Sequence, residues 1–368
     1  MKSLYILGTR GVPAQHGGFE TFAEKLSLFL VSRGWQVTVY CQEASGGGIS
    51  ESEWCGVRRV HIPVESEGAA GTIVFDWKST LHSLSQEGLF LTLGYNTAVF
   101  NLMHRSKSKV NLINMDGIEW KRDKWGVVAK TWFWINERIG CWVGNHLIAD
   151  HPKIKLHLET RVRDEKITMI PYGGDEILNA DETALTAYGL EPKKYSVIIA
   201  RPEPENSVLE IVRSFSSVVR GHKLVVLGDF RPNDVPFHQQ VMQAASSEVV
   251  FPGAIYEARA VQALRFFCRF YLHGHRVGGT NPSLVEALGA GCAVIAHDND
   301  FNRWVASEAG VYFNSEADCA KLFDRLLTDE DELLRMKVAS RSRFLERFTW
   351  SQILSEYEIL LDTWYPTK

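Results

Sequence analysis

Short apolar runs alternate with segments of helical period along this chain, and the alternation stops once and then starts again. Residues 4–7, 35–41, 57–62, 89–93, 110–114 and 147–149 read as buried strands. Residues 19–33 have helical spacing, with Phe22, Leu26, Phe29 and Leu30 on one side, and Gly34 ends them. Gly46-Gly47-Gly48 marks a flexible turn. Strands separated by helices predict a parallel sheet with helices on both faces. The rhythm breaks at Ile170-Pro-Tyr-Gly-Gly-Asp175 and stays broken through a polar stretch to Pro192. It restarts with strands expected at 196–200, 223–227, 249–251, 270–272 and 293–296, and a helix at 207–219. Residues 329–364 read as mostly helical, interrupted near Phe348-Thr-Trp350. The expected architecture is α/β, with domains at 1–175 and 176–349 and a last helix, about 350–366, packing back on the first. Two such halves in succession predict a cleft where ligands bind.

Composition narrows the class. The 368 residues suffice for two ordinary cores, and 45% hydrophobic with 23% charged residues is globular. A net charge of −4 lacks the basic excess of a nucleic-acid binder, so no nucleic-acid partner is expected. The six cysteines are scattered without a C-x-x-C pair, and several sit inside apolar segments and read as buried thiols, which suggests a reducing compartment. The apolar part of the first eight residues is too short for a signal peptide, and no run of 18 apolar residues occurs. A cytoplasmic protein is expected, with peripheral contact at the inner face of the cytoplasmic membrane left open.

The richest stretch runs from His273 to Ala296: a loop, a short helix, then a buried strand. The loop His275-Arg-Val-Gly278-Gly279-Thr280-Asn281 offers backbone N–H groups, and Pro282 suits the first helical turn. Ser283 adds a hydroxyl at the same end. The positive end of the helix dipole there suits a phosphate. Glu286 lies one turn in, able to reach a hydroxyl pair. A diphosphate beside a diol is what a nucleotide sugar presents.

Three other segments qualify as site pieces. The loop Gly8-Thr-Arg10-Gly11-Val-Pro13-Ala-Gln-His16-Gly17-Gly18 joins the first strand to the first helix, and its glycines permit close approach of a substrate. It matches neither a dinucleotide fingerprint nor a P-loop. Asn114-Met-Asp116-Gly-Ile-Glu119-Trp120-Lys-Arg122 follows a strand end, where acid, base and stacking groups suit sugar hydroxyls and rings. Arg201, in Arg201-Pro-Glu-Pro-Glu-Asn206, follows the first strand of the second half, where a guanidinium can pair with phosphate.

Asp298-Asn-Asp300 spells a metal-binding D-x-D but fits a helix cap better, and His273-x-His275 lacks a third ligand, so no metal is expected. The basic, Trp-rich stretch 125–142, with Lys121, Arg122, Lys124 and Lys130 beside it, reads as core packing or as a bilayer contact.

Taken together, Thr9-Arg-Gly-x-Pro-x-x-x-Gly-Gly-Phe-Glu-Thr21, Met115-Asp-Gly-Ile-Glu-Trp-Lys-Arg122, Ile170-Pro-Tyr-Gly173 and Gly278-Gly-Thr-Asn-Pro-Ser-Leu-Val-Glu286 carry a resemblance. The chain resembles the retaining GT-B glycosyltransferases of family 4 over nearly its whole length, and among them bacterial rhamnosyltransferases of polysaccharide assembly. The resemblance implies two Rossmann-like domains with the donor held mainly by the second. It makes Glu286 the second Glu of an E-x7-E motif, contacting ribose, while Gly278 stands where the first Glu would be. It makes Arg201 the phosphate-binding Arg, while Asn206 stands where many members carry Lys. Arg10 or the amides of Gly17 and Gly18 would compensate.

The expected activity is transfer of a sugar, L-rhamnose from dTDP-rhamnose, to a lipid-linked saccharide acceptor in surface polysaccharide assembly, without metal or cofactor. Asp116, Arg201 and Glu286 are the expected catalytic residues. Gly17, Gly18, Asn206, His275, Gly279, Thr280, Asn281, Pro282 and Ser283 are the expected donor contacts, and Glu119, Trp120 and Arg122 the expected acceptor contacts. A UDP- or GDP-sugar donor, a nucleotide-sugar epimerase and a non-catalytic GT-B scaffold are the alternatives.

Overall fold

The computed structural model describes residues 2–366 apart from 16, 45–46 and 67, so His16 and part of the glycine turn at 46–48 lie outside the described residues. The chain divides into two compact units, residues 1–172 with 350–368, and residues 173–349.

The first unit runs β1 (Ser3–Leu7), α1 (Gly18–Ser32), β2 (Gln36–Glu43), β3 (Ser50–Trp54), β4 (Val57–Pro63), α2 (Gly68–Ser83), β5 (Leu89–Leu93), α3 (Leu102–Ser106), β6 (Val110–Asn114), α4 (Val127–Val143), β7 (His146–Ala149), α5 (Pro152–Glu159) and β8 (Ile167–Met169). Its eight-stranded sheet has the order β3-β4-β2-β1-β5-β6-β7-β8. All pairings are parallel except β3 with β4, a hairpin at the sheet edge. Leu4, Ile6, Val39, Leu89 and Leu91 are fully buried because helices cover both faces. Strand β3, Ser-Glu-Ser-Glu-Trp, carries no apolar run and has no place in the sequence reading above.

The second unit runs β9 (Tyr195–Ile199), α6 (Val208–Ser216), β10 (Lys223–Leu227), α7 (Pro236–Gln243), β11 (Val249–Gly253), α8 (Ala258–Phe266), β12 (Tyr271–His273), α9 (Pro282–Gly289), β13 (Val294–His297), α10 (Asp300–Ala306), β14 (Gly310–Phe313), α11 (Glu316–Leu326) and α12 (Glu330–Arg347). The helix expected to reach residue 219 stops at Ser216, because Val218 and Val219 are exposed and have no core to face. The chain then returns to the first unit as α13 (Trp350–Trp364), whose Trp350, Ile353, Tyr357 and Leu361 join the core formed by α1 and β1.

The six strands of the second unit are parallel, in the order β11-β10-β9-β12-β13-β14. Counted by first appearance this is 3-2-1-4-5-6, the doubly wound arrangement. Strand order reverses between β9 and β12, and in the first unit between β1 and β5. Loops leaving the carboxyl ends of those strands diverge and open a crevice in each unit. One glycine marks each reversal. A Cβ on Gly8 (φ +79°) would lie 2.2 Å from the Leu93 carbonyl oxygen, and one on Gly274 would lie 2.1 Å from that of Asn206. Only glycine lets the backbones pass so closely.

Candidate functional site

The reversal in the second unit brings the loop after β9, which carries Arg201, to the start of α9. Ser283 ties them: its hydroxyl donates to the Ile199 carbonyl at 3.2 Å, two residues before Arg201. Asn206 donates from Nδ2 to the Arg201 carbonyl at 2.9 Å, fixing the turn, and the Arg276 N–H donates to the Glu205 carbonyl at 3.0 Å. Arg201 itself is exposed and pairs with no carboxylate among the described residues. Asn206 therefore acts through the backbone that carries Arg201.

Helix α9 begins as its sequence dictates, with Asn281 as N-cap and Pro282 in the first turn. The Asn281 side chain accepts from the Ser283 N–H at 3.0 Å. The Ser283 amide is thus taken up by the cap. Its hydroxyl is also committed, at 2.7 Å from the Tyr271 hydroxyl and 3.3 Å from Arg265 Nη2. What α9 offers an anion is its dipole and the loop ahead of it, Gly278 to Thr280.

The sequence reading missed Arg265, on α8. Its side chain is buried, and Nη2 lies 2.5 Å from the Glu286 carboxylate. Nη2 also donates to Ser283, so one guanidinium positions both residues. Its Nε is buried with no partner. Nothing in a linear pattern pairs α8 with α9; only the sheet order brings them together.

His273 and His275 flank Gly274 with rings stacked at 4.3 Å and 10°. Both ring nitrogens of His273 are buried without a protein partner. Burial, with the neighbouring His275 adding to it, holds the His273 imidazole neutral, well below its usual range. The side chains of Asn299 and Asn302 donate to the His275 carbonyl at 3.0 and 2.8 Å. Asn299, rather than Asp300, caps α10. Asp298 is held by Arg303, with Nη2 at 2.8 Å, and by Asn314 at 3.1 Å. The Arg303 hydrogen bond outweighs burial and keeps Asp298 below the usual carboxylate range.

In the first unit, Asp116 follows β6. It sits in the left-handed region (φ +47°), unusual for a residue with a side chain, and its N–H donates to Asn114 Oδ1 at 2.9 Å. Asn114 in turn donates to the Tyr357 hydroxyl of α13 at 3.0 Å. Asp116 is only half-buried, but burial of its carboxyl pushes the pKa up to about 6. Glu119 adds to this, opposed by the Gly117 N–H and Arg122.

Glu119 receives Arg122 Nη1 at 2.8 Å and Trp125 Nε1 at 3.0 Å, while its N–H donates to the Tyr95 hydroxyl at 2.8 Å. Trp120 Nε1 donates at 2.6 Å to Glu137, a buried carboxylate that also meets His157 at 3.0 Å. Burial pushes Glu137 up, but hydrogen bonds from His157 and Trp120 and the charges of His157 and Arg161 prevail, and the group lies below its usual range. The polar ends of Glu119, Trp120 and Arg122 thus brace the loop. The Trp120 ring meets Lys121 Nζ at 5.4 Å and the His157 ring at 6.1 Å.

Gly17 caps α1 and Gly18 opens it, with no side-chain cap bond. Two carboxylates already serve that loop: Glu20 accepts from the Gln15 N–H at 2.9 Å and Glu24 from the Ala14 N–H at 2.6 Å.

Residues 1–175 match DUF1972, a domain of unknown function, and residues 210–358 match the glycosyl transferase-like family. No curated protein matches the chain. Among solved structures it is similar to sucrose-phosphate synthase from Thermosynechococcus elongatus, with a TM-score of 0.81 at 15% identity over 99% of both chains. It is similar to HepE of Anabaena, solved with UDP, with a TM-score of 0.75 at 12% identity over 99% of this chain and 100% of the other. It is also similar to a trehalose-phosphate synthase from Burkholderia vietnamiensis, with a TM-score of 0.73 at 10% identity over 99% and 100%. The chain has the GT-B fold, and its residues 210–358 are similar to the glycosyl transferase-like family.

Proposed function

We propose that this protein is a metal-independent, retaining glycosyltransferase that moves L-rhamnose from dTDP-rhamnose to a lipid-linked saccharide at the inner face of the cytoplasmic membrane. One observation carries the donor site: an unpaired, exposed Arg201 on a turn fastened to the capped start of α9, with Glu286 one turn in and fixed by Arg265. A guanidinium and a helix dipole suit a diphosphate, and the carboxylate suits a ribose diol.

In the reaction the acceptor hydroxyl attacks the anomeric carbon on the face from which the diphosphate leaves. The bond to the β-phosphate oxygen breaks as the new glycosidic bond forms, and the proton passes to the departing phosphate. Arg201 and α9 stabilise the charge that develops there. Asp116, ionised at neutral pH with a pKa near 6, orients the acceptor hydroxyl while that proton leaves.

The choice of dTDP-rhamnose rests on the resemblance at residues 115–122 and 278–286. A UDP-sugar is the second reading, because HepE has been solved with UDP and with UDP-glucose. Thermal shift against a panel of nucleotide sugars decides between them, since a ligand at 100 times its Kd stabilises by about 2.7 kcal/mol. Transfer is then measured in EDTA. dTDP-rhamnose should give the largest shift and unchanged transfer. A faster UDP- or GDP-sugar sinks the donor assignment, and activity restored only by Mg²⁺ or Mn²⁺ sinks metal independence.

A further inference from the structure

The stretch rich in tryptophan divides when it folds. Trp125 and Trp132 turn their indole N–H groups inward, to Glu119 and to the Asn96 carbonyl at 2.7 Å. The rest of α4 does the opposite. Val127, Val128, Trp134, Ile135 and Trp142 are exposed, the two valines by 81% and 86%. Wound at about 100° per residue, these five fall within about 120° of one another, a single outward face.

Helix α2 repeats the pattern. Ile73, Val74, Trp77 and Leu81 are exposed and share one face by the same winding. The short turn 98–101 joins the two helices: Trp77 packs edge-on to Phe100 at 5.2 Å, and the Val99 N–H donates to Asn136 of α4 at 2.9 Å. An apolar face on each of two helices joined by one turn exceeds scattered exposure.

The exposed charges beside these faces are mainly basic; the exception is Asp123, next to Lys124, with Lys130 at 3.9 Å from it. Arg138 lies over the Trp134 ring at 3.4 Å and Arg105 over Trp142 at 5.0 Å. Lys78, Lys107 and Lys124 are exposed nearby. The two carboxylates of these helices turn away, Asp76 to the Thr97 hydroxyl at 2.7 Å and Glu137 into its buried cluster. A second copy fits poorly, since a two-fold contact is self-complementary and would set these cations against their own images. No helix among the described residues is long and apolar enough to cross a membrane.

We propose that the outward faces of α2 and α4, rimmed by Arg105, Lys107, Lys124 and Arg138, dock this protein on an anionic lipid bilayer. Trp77, Trp134 and Trp142 enter the headgroup layer and the cations meet the lipid phosphates. The surface serves the proposed lipid-linked acceptor but is tested without any substrate, so its failure and that of the transfer reading are separate.

The full-length protein is floated with vesicles of phosphatidylglycerol and phosphatidylcholine, and with phosphatidylcholine alone, at low and high salt. Binding should require phosphatidylglycerol and weaken with salt. Trp77→Glu and Trp134→Glu should each lower the bound fraction at least fivefold. Lys124→Gln and Lys107→Gln should each lower it about fivefold, one basic contact apiece. Leu334→Glu, an exposed site on α12, should leave it unchanged, with thermal melting reporting that every variant folds. Absence of flotation, equal flotation on phosphatidylcholine alone, or indifference to the tryptophan variants overturns the proposal. So does a wild-type dimer that Trp134→Glu dissociates, because a second copy then covers the face.

Discussion

Two residues of this protein carry tension that function would explain. Arg265 is a buried cation whose charge is balanced by Glu286 at 2.5 Å. Replacing it by Met removes that balance and frees the Glu286 carboxylate to swing. Nucleoside diphosphate binding by Arg265→Met should weaken about tenfold or more, matching one charged hydrogen bond of roughly 1.5–3 kcal/mol. Isothermal titration checks this, and an unchanged Kd would remove the Arg265–Glu286 pair from the donor site. Asp116 combines a left-handed backbone with a desolvated carboxyl. Its folded pKa of about 6 stands above the model-peptide range, so between about pH 4 and 6 the folded state holds the proton more tightly than the unfolded one. Stability from this group therefore falls as pH rises through that window. Asp116→Asn keeps the left-handed tolerance and loses the charge. It should gain about 1–2 kcal/mol at pH 7.5, with the gain vanishing below pH 4, and should lose transfer. Melting curves across pH that superimpose on wild type would show that the carboxyl is not desolvated.

At the scale of elements, the strands were legible and their order in the sheets was not. Apolar runs such as 89–93 and 110–114 announced β5 and β6 at their observed ends, because strands buried on both faces need no alternation. Asn281-Pro282 announced the start of α9. Strand β3 stayed hidden because an edge hairpin of Ser and Glu buries nothing. The exposed apolar face of α2 stayed hidden because helical period reports which residues share a side and not whether anything covers it. Asn281 was legible as a phosphate-loop residue, yet its side chain is spent on the Ser283 N–H. Asn281→Ala should therefore cost about 1 kcal/mol of stability while nucleotide Kd holds within about threefold, since the freed N–H becomes available to phosphate. A larger rise in Kd would mean that the Asn281 side chain itself meets the donor. Gly274 is a sharper case. Its Cβ would strike the Asn206 carbonyl, which is backbone and cannot rotate aside. Gly274→Ala should part the Arg201 turn from β12, lowering both melting temperature and nucleotide affinity.

At the scale of the whole molecule, the chain starts and finishes in the same unit. Helix α13 follows the complete second unit, but its buried face belongs to the first: Trp350, Ile353, Leu354, Tyr357, Leu360 and Leu361 lie in one core with Phe22, Leu26 and Leu30. Phe22 and Tyr357 rings meet at 4.6 Å, and the Tyr357 hydroxyl holds Asn114, which supports the Asp116 backbone. Each large apolar side chain removed from such a core forfeits about 1.5–3 kcal/mol, so losing six forfeits about 9–18 kcal/mol, as much as the roughly 5–15 kcal/mol that holds a typical domain together. Ending the chain after Thr349 should therefore unfold the first unit. The second unit keeps α12 and a core that includes Phe344 and Phe348 and counts no α13 residue. Limited proteolysis of the truncated protein should digest residues 1–172 and leave 173–349 resistant. On the proposed reading, the resistant fragment should still bind a nucleoside diphosphate, since Arg201, Arg265, α9 and Glu286 all lie within it, while transfer, for which Asp116 is proposed, should vanish. A truncated protein that resists protease over residues 1–172 would show that α13 is not part of that core. A resistant fragment that no longer binds nucleotide would show that the donor site draws on residues outside the second unit.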